Sequence, residues 1–83
     1  MRSEQEWNDR INRKKSQLEK VFIAVYELKK EGKNFHEICD YVKERPELKR
    51  GLMYNSVINR FLTLIEKGLS REEIIEGIRQ GRY

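Results

Sequence analysis

The chain of 83 residues has one cysteine, Cys39, one proline, Pro46, and one histidine, His36. A lone cysteine excludes an internal disulfide and a cysteine-based metal cluster. His36 has no partner at zinc-ligand spacing, so no metal and no cofactor is expected. There is no glycine-rich loop of the kind that cradles phosphates and no paired-carboxylate pocket in the pattern. His36, Cys39 and Asp40 are close in sequence, but on a short helix they do not make a nucleophile–base pair. An enzyme is therefore not expected. No apolar run approaches the ~20 residues of a membrane span, and the N-terminus lacks the apolar stretch of a signal peptide. The expected setting is reducing and cytoplasmic, with no membrane partner. One absence is local. Between Glu47 and Glu66 the sequence carries no Asp or Glu, in a chain that has 14 of them.

Charged residues make up 39% of the chain and hydrophobic residues 37%, with a formal net charge of +4. A chain this short buries roughly 60% of its unfolded surface and supports one modest core, hence a single domain over residues 1–83. Val and Ile do not alternate in strand-like runs, which points to an all-α fold. The mild positive charge is compatible with nucleic acid without requiring it.

Helix signals divide the chain into four. Ser3 with Glu6 reads as a capping box, and no Gly or Pro follows before Gly32. The first helix is predicted over Glu4–Glu31, with Trp7, Ile11, Leu18, Val21, Phe22, Val25 and Leu28 on one stripe. That stripe is interrupted at Lys14 and Lys15 and is more apolar in its second half. Residues 1–16 are thus expected to project beyond the core or to pair with another subunit. Asn34 and Glu37 form a second capping box for a helix from Phe35 to about Glu44, closed by Pro46. A third helix is predicted to start after Gly51, or a turn earlier, and to end before Gly68, with Val57, Ile58, Phe61, Leu62, Leu64 and Ile65 inward. Ser70 and Glu73 cap a fourth, Arg71 to Gln80, with Leu69 and Ile74 as a hydrophobic staple. Arg79–Tyr83 reads as a flexible tail with a phosphate contact. The segments "EGKNFHEICDYVKE" and "KGLSREEIIEGIRQ" echo one another, through capping residues that any helix–Gly–helix junction uses.

The third helix carries the informative pattern. Opposite its apolar side lie Asn55, Ser56, Asn59, Arg60 and Thr63, with Lys49 and Arg50 just before it. Asn, Ser and Thr are poorer helix formers than the Glu, Lys and Gln of an ordinary solvated face. They do suit the edges of base pairs: Asn bonds adenine, Arg bonds guanine, and Ser or Thr bonds bases or phosphates. Carboxylates on such a face would repel a nucleic-acid backbone. Residues 49–63 carry Lys49, Arg50 and Arg60 and no negative charge. The same polar residues also suit close packing on another helix or subunit, and both readings stay open on this ground alone.

The run "FHEICDYVKERPELKRGLMYNSVINRFLTLIEKGL" resembles the helix-turn-helix core of winged-helix and homeodomain-like regulators. The resemblance covers residues 18–69. It rests on Ile38 and Val42 in the second helix, Val57 and Phe61 in the third, and the closing "LIEKGL". It implies a four-helix domain with a helix-turn-helix-like three-helix core, in which residues 70–80 form a helix where a wing of two strands is expected. It further implies that the third helix enters the major groove of double-stranded DNA. Asn55, Ser56, Asn59 and Arg60 would then face bases, and Lys49 and Arg50 phosphates. The function implied is a small DNA-binding protein, a regulator of transcription or replication, acting as a homodimer.

A second cluster, Arg10, Arg13, Lys14 and Lys15, offers a secondary phosphate contact. It equally suits a solvated, salt-bridge-laced helix. Trp7 and Ile11 are candidate anchors for a partner. They support the alternative function, a small helical protein–protein interaction module, adaptor or inhibitor, without nucleic acid.

Overall fold

In the computed structural model the backbone is described for residues 4–83 and the side chains for residues 10–83. The Ser3 cap and the side chain of Trp7 lie outside the described residues. Five helices follow in order: α1, Glu4–Lys30; α2, Phe35–Lys43; α3, Pro46–Lys49; α4, Tyr54–Glu66; and α5, Arg71–Arg79. Among the described residues there is no strand, so the all-α expectation holds. The described residues form five helices rather than the expected four.

The additional helix is α3. Pro46 was expected to close α2, and it also opens a new turn. Arg45 is extended (φ −119°, ψ 97°) and Pro46 takes the first helical position. Proline suits that position because its missing N–H has no helical acceptor to serve. Arg45 itself is held in place. Its guanidinium lies 3.4 Å from the centre of the Tyr41 ring, and its Nη1 donates to the Tyr41 carbonyl at 2.9 Å. The corner between α2 and α3 is therefore fixed by a stacked cation rather than left as a loose loop.

α1 is the spine. It runs for 27 residues, about 40 Å at 1.5 Å per residue, and packs against each of the other helices. Among its described side chains, Leu18, Val21, Phe22 and Val25 of the second half are buried in the core. Ile38 and Val42 of α2, Leu48 of α3, Ile58 and Phe61 of α4, and Ile74 and Ile78 of α5 complete it. Phe22 and Phe61 meet edge to face with ring centres 5.3 Å apart at its centre.

The junctions follow the capping signals. The Asn34 side chain accepts from the Glu37 N–H at 2.9 Å, and Glu37 Oε1 accepts from the Asn34 N–H at 3.2 Å. Ser70 Oγ accepts from the Glu73 N–H at 3.1 Å, and Leu69 and Ile74 both join the core cluster. α1 and α4 close alike. Gly32 and Gly68 both stand at φ 89°, where a side chain would be strained, and the N–H groups of Lys33 and Leu69 turn back to the carbonyls of Leu28 and Leu64. The echo between the two segments is thus visible as one closing geometry used twice.

The tail departs from expectation. It is not a loose end: the Arg82 N–H donates to the Gly77 carbonyl at 2.8 Å, and the Tyr83 ring covers the Cα of Gly77. A Cβ at position 77 would collide with that ring. This explains a buried glycine inside a helix, a position that otherwise costs stability.

Candidate nucleic-acid interface

α4 presents the face that the sequence singles out. Ile58 and Phe61 are buried and Val57, Leu62, Leu64 and Ile65 are half-buried, which fixes the helix's rotation about its axis. Asn55, Ser56, Asn59, Arg60 and Thr63 are all exposed on the opposite arc. They lie on neighbouring ridges, so they share one continuous surface. Thr63 partly serves its own helix, since its hydroxyl donates to the Asn59 carbonyl at 2.9 Å. The side chains of Asn55, Ser56, Asn59 and Arg60 make no such claim on the fold, and their polar groups point outward.

The start of α4 differs from those of α2 and α5. Its N-cap residue is Met53, no side chain caps its first N–H groups, and no acid stands in its first turn. The positive end of the helix is therefore open to an anionic group outside the chain. Met53 is 79% exposed. With Leu52, Tyr54, Asn55 and Ser56 it lines a shallow concavity of about 270 Å³. Sequence periodicity gave no hint of Met53, because the residue lies between helices rather than on a face.

Lys49 and Arg50 were expected immediately before the recognition face. Lys49 is the last residue of α3 and half-buried, and Arg50 is its exposed C-cap. Both are positioned by a residue that the sequence reading did not pick out. Gln17 of α1 donates through Nε2 to the carbonyls of Leu48, at 3.0 Å, and Arg50, at 2.7 Å. One side chain thus ties the end of α3 to the spine and orients the segment that leads into α4. A mid-helix Gln carries no sequence signal for such a role.

Gln17 also relates the two basic clusters. Arg13 and Lys14 occupy positions one turn before it on α1, and Arg10 one turn earlier again. All three are exposed. Arg10, Arg13 and Lys14 therefore lie on the side of α1 that faces the end of α3. Lys15 turns the other way: it is half-buried, with its ammonium stem beside Gly81 at the end of α5. The four-residue cluster is thus divided between two sides of the spine. On Lys15's side α5 is pinned by an ion pair, Arg79 to Glu19 at 2.8 Å.

Cys39 is half-buried against the core. Its thiol is pushed above the ordinary range, first by burial and then by the neighbouring charge of Asp40. A raised thiol is less often in the thiolate form that reacts. Among the described residues no helix is long and apolar enough to cross a membrane. Compared with protein-family models, with curated proteins and with solved structures, the chain matches none.

Proposed function

We propose that this is a small DNA-binding protein that reads the major groove with α4. The observation that carries the reading is the exposed, carboxylate-free face of Asn55, Ser56, Asn59 and Arg60, set opposite a rigid apolar side. Asn55, Asn59 and Arg60 reach base edges, and Ser56 together with the open N–H groups of α4 suits a phosphate oxygen. Lys49 and Arg50, set by Gln17, add phosphate contacts beside the helix. The role is that of a transcriptional or replication regulator.

The test is fluorescence anisotropy on labelled duplex DNA at rising salt. Arg60→Ala and Asn59→Ala are each expected to weaken binding by about 1–3 kcal/mol on the preferred sequence. Absence of binding at low salt would sink the reading.

One observation favours a second reading, a protein-interaction module. Met53 exposes an apolar side chain beside Leu52 and Tyr54, where phosphates offer it nothing. In that case Met53→Ser would abolish co-purification of a stoichiometric protein partner, and the purified chain would carry no nucleic acid.

A further inference from the structure

We infer that Met53 determines base specificity, its side chain reading the C5-methyl group of a thymine in the major groove. The inference rests on the reading of α4 as a major-groove element and names a base group that the polar face does not recognise.

Among the described residues Met53 is the one large hydrophobic side chain that is exposed, at 79%. Its backbone is nevertheless held on both sides. Its carbonyl accepts from the Val57 N–H at 3.1 Å, which begins the hydrogen bonding of α4. Leu52 before it donates its N–H to the Lys49 carbonyl at 3.0 Å and packs against the core. The chain thus fixes where the Met53 side chain starts and gives the side chain itself to solvent. Met53 stands one turn before Ser56, and Ser56 one turn before Arg60. It therefore extends the exposed ridge of α4 towards the start of the helix, and a duplex lying on that ridge meets it.

The chemistry of the groove selects the contact. Asn55, Ser56, Asn59 and Arg60 offer hydrogen bonds, and Lys49 and Arg50 offer charge. Met53 offers neither, so phosphates give it nothing. Base pairs present donors and acceptors in the major groove, and one apolar group, the thymine C5-methyl. Wedging an apolar side chain between base steps is a device of minor-groove proteins, on the other side of the duplex. Leu52 and Tyr54, both half-buried, line the concavity beside Met53. A methyl placed there exchanges water for apolar surface. An unbranched thioether with three rotatable bonds can follow such a group into place. No carboxylate between Glu47 and Glu66 holds the duplex away. The contact also adds information. The O4 of thymine is an acceptor, as is the O6 of guanine, and the methyl is what sets thymine apart.

The test removes the methyl and nothing else. The full chain selects its tightest duplex from a random library, and each thymine of that duplex is replaced in turn by deoxyuridine. Fluorescence anisotropy at constant salt reads the affinity. The expected result is a loss of about fourfold at one position, the worth of one buried methyl group. Met53→Ala should weaken the parent duplex by a similar factor and make the replacement at that position neutral. Its thermal midpoint should stay unchanged, because the side chain is outside the core. Duplex binding that tolerates every deoxyuridine replacement overturns the inference and leaves the α4 reading in place. So does a methyl dependence that persists undiminished in Met53→Ala, which would assign the methyl to another residue. No binding to duplex DNA at low salt overturns both.

Discussion

Phe61 is 1% exposed and meets Phe22 edge-on between α1 and α4. Its ring is the largest fully buried side chain of α4. Phe61→Ala should therefore cost about 3–5 kcal/mol, read from urea unfolding. For a domain of this size that is a large share of its stability. Position 39 gives a chemical prediction. Because burial and Asp40 both raise the Cys39 thiol, less of it is thiolate at a given pH than in an unfolded peptide. Alkylation by iodoacetamide at pH 8 should be slower in the folded protein than in denaturant, and Asp40→Asn should raise the folded rate modestly. Gln17 shows where residue-level reading of sequence stops. Its two bonds to the backbone of α3 span more than thirty residues. Nothing in its neighbours or its periodic position announces them, whereas the Asn34–Glu37 reciprocal cap is local and was legible in full.

At the scale of elements, apolar spacing and capping chemistry placed three of the helices within a residue or so of their ends and α4 less closely at its start. Both signals are properties of short stretches, so they survive without knowledge of the fold. α3 was not legible because one proline supports two readings, the end of one helix or the first residue of the next. Only the extended Arg45 stacked on Tyr41 decides between them. The tail was misread for a related reason. Gly77 inside α5 was a signal of close approach, but what approaches, Tyr83, is fixed by the turn after the helix. On α4 the composition of the exposed face makes a prediction of opposite sign to that for Phe61. Asn59 is exposed and a poorer helix former than alanine. Asn59→Ala should stabilise the fold by about 0.5 kcal/mol in thermal unfolding. If the same substitution weakens DNA binding, the residue is kept for contact at the expense of helix stability. Unchanged binding together with raised stability would leave the asparagine without a role on the proposed face.

At the scale of the whole molecule, the exposed positive charge falls into two groups, one around α4 and one on α1. Lys49, Arg50 and Arg60 surround the α4 face, while Arg10, Arg13 and Lys14 lie further up the spine on the side that faces the end of α3. On the α4 reading it is the three cations around α4 that meet phosphates. Each neutralised phosphate contributes about −0.9 to the slope of log K against log salt for duplex DNA. The expected slope is thus about −3 per protomer, from three contacts. Arg60→Ala should reduce its magnitude by about 1. Arg13→Ala should leave the slope unchanged. A slope nearer −5, falling by about 1 with each of Arg10→Ala, Arg13→Ala and Lys14→Ala, would instead place the first half of α1 along the DNA backbone. The measurement therefore separates the cations that meet phosphates from those that stay in solvent, because only a phosphate contact releases condensed counterions from the duplex.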